Sequence, residues 1–271
     1  MNKLVFSWPN GKSGALTTSW DDGNIHDRRL VSIFNKYGIK GTWNLNSGFL
    51  DSKVKEGTRK KYLSSKEIKS LFKGHEVAVH TVTHPSLWRS SDSMILSEVV
   101  EDRKNLERLT GYPVRGMALP NGGPNDERVK NVLRAAGILH CRPTARGENF
   151  ELPLDFMYWP VTCHQADDFF SLWEKFMNKS NPDKLFYLWG HSYEFPRDNN
   201  WERMEEFGKL TGKKGNIWYA TNMEIYNYVT AWRSLSSSVE MTQVENRSGV
   251  TVWFKAAGEL KKVGPGKILR L

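Results

Sequence analysis

A chain of 271 residues is long for one ordinary domain and usual for a single α/β barrel. With 39% hydrophobic and 25% charged residues, the composition is globular, which excludes disordered and fibrous classes. The net charge of +9 suits anionic partners, but no Lys/Arg run exceeds three residues and no nucleic-acid motif occurs, so a generic basic surface is expected and nucleic acid is not.

Cys141 and Cys163 form no CxxC pair, which excludes a disulfide framework and leaves two free thiols. The opening stretch MNKLVFSWPNGK has only three consecutive apolar residues before Ser7, too few for a signal-peptide core or a membrane span. A cytoplasmic protein and one whose leader has been removed both fit. The aromatics, with 11 Trp, 9 Tyr and 13 Phe, are numerous enough to fill a core and to line a sugar groove.

Short apolar runs predict strands at 15–20, 40–45, 76–80, 115–119, 138–142, 156–161, 184–190 and 217–220. Helices are predicted between them. Leu30, Val31, Phe34 and Tyr37 recur at helical spacing over 27–37, and Ser64 with Glu67 forms a capping-box signature before Ile68. Residues 92–109 place Ile95, Val99, Leu106 and Leu109 near one face; Asn125 is the predicted cap of 126–136, and Gly137 its end. Further helices are expected at 167–178, 200–210 and 222–234. Strand–helix alternation repeated about seven times predicts a parallel sheet, and at this length a closed or nearly closed barrel. A doubly wound open sheet is disfavoured, since no GxGxxG or Walker loop follows the first strand. After residue 236 the pattern turns to polar–apolar alternation broken by glycines, which predicts a small antiparallel β appendage over 236–271, beside a barrel over 1–235. Capping the barrel suits so few strands better than an independent glycan-binding module.

Four segments bring chemistry to the strand ends. "SWDDG" sets Asp21 beside Asp22, a pairing whose repulsion a divalent cation offsets: one carboxylate binds the ion and the other is left as a base. "HTVTH" carries His80 and His84, whose rings converge if 81–84 turns helically off the strand. Together they give a two-His-one-carboxylate set with open positions for water and substrate. "ALPNGG" makes a tight loop at Pro120 and Asn121 that can aim backbone N–H groups at an oxyanion. "LFYLWGH" delivers His191 to the same face.

In this order the segments resemble the polysaccharide deacetylase family, the NodB-homology or carbohydrate esterase 4 group, over about residues 14–195. "SWDDG" resembles its TFDDG motif, "HTVTH" its H-S/T-x-x-H motif, "ALPNG" its R-x-P-Y-G motif and "LWGH" its late Leu-x-x-His. The resemblance implies a distorted (β/α)7 barrel, with Asp22, His80 and His84 binding Zn²⁺ (or Co²⁺, Ni²⁺ or Mn²⁺) and Asp21 as general base. It further implies the Asn121 N–H in the oxyanion hole, His191 as general acid, and an acetylated carbohydrate as substrate.

Two departures stand out. The family's motif-three Arg aligns with Ala118, and Arg142 is the expected substitute partner for Asp21. The family's fourth motif has no clear counterpart; Trp159, His164 or Asp167 is expected to line or support the site, and Glu194 either to support His191 or to lie on the surface. Trp20, Trp43 and Trp189 are candidates for stacking on a sugar, with core packing favoured for the first two. Alternatives are a non-catalytic glycan-binding barrel and a C–N hydrolase of a small amide on the same scaffold. A glycosidase fits poorly, because adjacent Asp21 and Asp22 are expected to point in different directions instead of flanking a bond.

Overall fold

The computed structural model of the chain describes residues 4–52, 61–147 and 149–271. A short strand, β1 (Val5–Ser7), precedes β2 (Gly14–Asp21), all of whose residues are buried. Burial on both faces belongs to a strand in the middle of a parallel sheet, where helices cover each side. The chain then alternates through α1 (Asp27–Tyr37), β3 (Thr42–Leu45), α2 (Ile68–Leu71), β4 (Glu76–Val79), α3 (Asp92–Thr110), β5 (Gly116–Ala118), α4 (Glu127–Ala135) and β6 (His140–Arg142). It continues through β7 (Cys163–His164), α5 (Phe169–Asn178), β8 (Leu185–Gly190), α6 (Glu194–Arg197), α7 (Glu202–Thr211), β9 (Ile217–Tyr219) and α8 (Asn222–Arg233).

Seven strands pair in parallel in the order β6-β5-β4-β3-β2-β8-β7, the curled sheet of a distorted (β/α)7 barrel. The first half of β2 also takes β9, with Leu16 opposite Tyr219, while its second half takes β3, with Asp21 opposite Asn44. At β6 the sheet ends in irregular backbone: the Cys141 N–H donates to Phe156 O at 2.8 Å and the Trp159 N–H to Cys141 O at 3.0 Å. The strand expected over 156–161 does not form. Pro160 has no N–H to give a ladder, and regular pairing starts only at Cys163, opposite Leu188.

The helix ends follow local chemistry. Glu67 accepts from the Ser64 N–H at 2.8 Å, completing the capping box ahead of α2. The cap of α4 is Asp126, one residue beyond the expected Asn125; its carboxylate accepts from the Arg128 N–H at 2.8 Å.

Below the barrel, Glu76 accepts from Thr42 Oγ1 at 2.9 Å and the Met223 N–H at 2.8 Å, and lies 3.2 Å from His140 Nε2. These bonds tie the starts of β3, β4, β6 and α8 and close the N-terminal end of the sheet. After α8 come β10 (Ser236–Ser237), β11 (Gln243–Asn246), β12 (Val252–Ala256), β13 (Glu259–Val263) and β14 (Lys267–Arg270), paired antiparallel in two small sheets. One of these takes β1 from the other end of the chain, with Phe6 opposite Phe254. Phe254, Val252, Val244 and Val263 pack with Ala231 of α8, so the appendage shares apolar contacts with the last barrel helix.

Candidate active site

The C-terminal ends of the central strands bring the chemistry to one place. Asp21 is the last residue of β2, and Asp22 follows it with φ +79°. Left-handed backbone is open to Asp at little cost, and it breaks the strand's up–down alternation. Both carboxylates therefore turn toward His80, whose Nε2 is 3.5 Å from Asp22 Oδ1 and 3.8 Å from Asp21 Oδ2. The divergence expected of adjacent carboxylates does not occur.

His80 leaves β4 with its Nδ1 2.9 Å from the Ala118 carbonyl, which puts the proton on Nδ1 and turns the Nε2 lone pair inward. Its backbone N–H donates to Asp102 Oδ2 of α3 at 3.0 Å. The segment to His84 is not helical. Thr81 and His84 have φ of +67° and +63°, and the Thr81 hydroxyl accepts from the His84 N–H at 3.0 Å. This tight reversal sets the two imidazoles edge to face, centroids 4.8 Å apart, with His84 Nε2 3.4 Å from Asp22 Oδ1.

Asp22, His80 and His84 thus offer donor atoms within 4.8 Å of one another. Two ligands about 2.1 Å from one ion at a tetrahedral angle are separated by about 3.4 Å, so the 3.4 and 3.5 Å spacings fit a divalent cation.

Asp21 belongs to a different pairing. Arg142, the last residue of β6 and wholly buried, donates through Nη2 to both Asp21 carboxylate oxygens. Asn44 Nδ2 adds a bond at 2.8 Å. Burial alone raises the Asp21 pKa, but the charges of Arg142, His80 and His191 and the Arg142 hydrogen bond outweigh it and hold the carboxyl below its ordinary value.

His191 follows β8. Its Nδ1 is 3.5 Å from Glu194 Oε1, while Glu194 Oε2 lies 3.2 Å from His164 Nε2 and accepts from Gln165 at 2.9 Å. Burial pushes Glu194 up, yet hydrogen bonding and charge from the two histidines carry it well below the ordinary range. Glu194 is a buried partner of His191 and no surface group. Trp189 is 6% exposed; its ring lies under the Arg142 guanidinium at 4.4 Å and against His164 at 4.7 Å. The face expected for a sugar is taken up by these contacts.

Residues 9–140 match the family model described as polysaccharide deacetylase. This segment belongs to the polysaccharide deacetylase family. The chain is also 27% identical over 150 residues to a gellan lyase of Bacillus sp, a match covering 54% of the chain and 6% of that protein's length. In fold it is similar to a Mycobacterium smegmatis protein described as a polysaccharide deacetylase, at TM-score 0.63 and 19% identity, over 86% of this chain and 96% of that one. It is also similar to an allantoinase, at TM-score 0.61 and 14% identity, over 81% and 91% of the two chains.

The other expected residues scatter. Trp20 and Trp43 are fully buried in the barrel core. Trp159 is 1% exposed and packs on Phe156, Tyr187 and His140, away from the strand ends that carry Asp21, Asp22 and His80. Asp167 shapes the loop by accepting from the His164 N–H at 2.7 Å, whereas His164 itself reaches Glu194. Pro120 is buried, and Asn121, exposed with φ +58°, donates from its side chain to His84 O at 3.3 Å. Sequence reasoning missed Asn44 and Asp102. Asp102 had a signal: it falls on the apolar stripe of Ile95, Val99 and Leu106, where a carboxylate needs a buried purpose. A shallow cavity of about 360 Å³ lined by Lys40, His75, Glu76, Tyr112 and Arg115 opens at the opposite end of the strands and holds none of this chemistry.

Proposed function

We propose that the chain is a metal-dependent hydrolase that removes acetyl groups from an N- or O-acetylated carbohydrate. The observation carrying this reading is one convergence: a cation-sized Asp22–His80–His84 triangle flanked by the Asp21–Arg142 pair and the His191–Glu194 pair. Asp22, His80 and His84 would hold the ion, which when bound supplies positive charge that acidifies water and polarises an acyl carbonyl.

The chain's own groups do the rest. Asp21, kept ionised by Arg142, accepts a proton from water as its oxygen bonds to the acetyl carbon. The Asn121 backbone N–H, on its left-handed turn, donates to the developing oxyanion. His191, whose backbone N–H donates to Glu194 at 3.2 Å and whose Nδ1 faces the same carboxylate at 3.5 Å, gives a proton to the departing sugar nitrogen or oxygen as that bond breaks and acetate leaves. Return of the proton from Asp21 to His191 through solvent completes the cycle, with one water consumed.

Acetate release from acetylated polymers, with and without Zn²⁺, tests the reading. Asp21→Asn should lower release by about 10³-fold while calorimetry shows Zn²⁺ binding retained. Release by that variant at the wild-type rate, or release undiminished by chelator, would overturn it.

A further inference from the structure

We infer that Trp88 is a stacking subsite for the sugar unit next to the acetylated one. This rests on the carbohydrate deacetylase reading above. Of the eleven tryptophans, Trp88 alone is exposed, at 39%, in a chain that otherwise keeps these rings buried or half-buried. A large apolar ring left in water where ten others are covered needs a partner, and its position supplies one.

Trp88 lies in the single turn Leu87–Arg89, four residues beyond His84. Two links join it to the reacting centre. Asn121, whose N–H faces the acyl group in the reading above, donates its side chain to the His84 carbonyl at 3.3 Å. Two residues on, Gly123 lies so close to Trp88 that an added Cβ would stand 3.0 Å from its Cδ1. Gly123 has φ +145°, backbone that side chains avoid, and the missing side chain lets the loop meet the indole edge. The ring is therefore on the rim of the loop expected to receive the acetyl oxygen.

The platform is built and not a loose side chain. Leu87 beside it is 1% exposed and anchors the turn. Arg128 of α4 donates to Trp88 O at 3.2 Å and Ser90 O at 3.0 Å, and holds Asp92 at 2.6 Å. The Arg89 guanidinium covers one face at 4.3 Å. The exposed remainder offers a flat apolar surface for the C–H face of a pyranose, and Arg89 adds N–H donors beside it for ring hydroxyls. One sugar ring is the size of one indole, so a single exposed ring suffices for one sugar unit.

Acetate release and binding are measured with N-acetylglucosamine oligomers and acetylated xylo-oligosaccharides from one to six units. In the wild type, kcat/KM should rise with chain length; Trp88→Ala should cut that rise at least 10-fold, through KM, and Trp88→Phe should restore part of it. An identical length dependence in wild type and Trp88→Ala overturns the subsite. If no probe releases acetate, the deacetylase reading fails, and calorimetry with Asp21→Asn still decides the subsite. Hexamer binding weakened about 10-fold by adding Trp88→Ala sustains it; binding indifferent to that change, or no binding, overturns it.

Discussion

Asp102 belongs to none of the short motifs, yet its two oxygens take the backbone N–H of Ser47 at 2.8 Å and of His80 at 3.0 Å. It is fully buried, and burial raises its carboxyl to about 6 against the pull of those bonds. The group stays in the core because the Ser47 N–H depends on it, while the His80 N–H is shared between Asp102 and the Leu45 carbonyl at 3.1 Å. Asp102→Ala should cost about 1–3 kcal/mol in thermal unfolding from the Ser47 donor left unsatisfied. It should also weaken Zn²⁺ binding by about 10–100-fold in calorimetry, since the turn that carries His80 loses the carboxylate tying it to Ser47 and α3. Asp102→Asn, which keeps acceptor oxygen, should lose much less of both. Arg142 shows the converse: a cation from β6 stands by Asp21 where Ala118 of β5 brings none, so the charge pair survives with its cation moved one strand along the sheet.

Elements hold these residues through their ends more than their middles. His75 precedes β4 and joins three elements: its Nδ1 accepts from the Gly41 N–H ahead of β3 at 3.1 Å, its Nε2 is 3.1 Å from Asn35 of α1, and its ring meets Trp43 at 4.7 Å. Burial, then the charge of Lys40, lowers its pKa to about 4. The folded protein thus resists a proton that the unfolded chain accepts at about 6.5. Stability from this group is complete above that value and is lost as pH falls toward 4, by up to about 3 kcal/mol. Urea unfolding at pH 7 and pH 4.5 should show His75→Gln losing less stability on acidification than the wild type; equal losses would refute the role.

At the scale of the whole molecule, the appendage and barrel share α8. Tyr228 of that helix donates to Ser7 O and accepts from the Trp253 N–H at 3.0 Å, joining β1, β12 and the barrel wall. We propose that residues 236–271 cap the barrel instead of folding as a separate module. Phe254→Ala, at a fully buried position in β12, should then destabilise by about 3–5 kcal/mol. The loss should lower a single thermal transition of the whole chain; a separate early transition with an unchanged barrel transition would show two independent units. Among the described residues, no helix is long and apolar enough to cross a membrane.

The sequence by itself determined most of the alternation of strands and helices, because continuous apolar runs for buried strands and period-3.6 stripes for helices are written in neighbouring residues. It also picked out side chains that gather at the candidate site, because Asp-Asp, His-x-x-x-His and the late His stand at strand ends where side chains reach the open face. What it could not determine is whatever joins distant segments or reverses local geometry. Asp21 and Asp22 turn the same way only because Asp22 is left-handed, and His80 and His84 converge through two left-handed residues where a helical turn was expected. Only the tertiary structure decided that Glu194 lies between His164 and His191, that Trp189 is shut in by Arg142, and that β1 crosses to the far end of the chain. Those contacts depend on the curl of the sheet, and no window of adjacent residues encodes it.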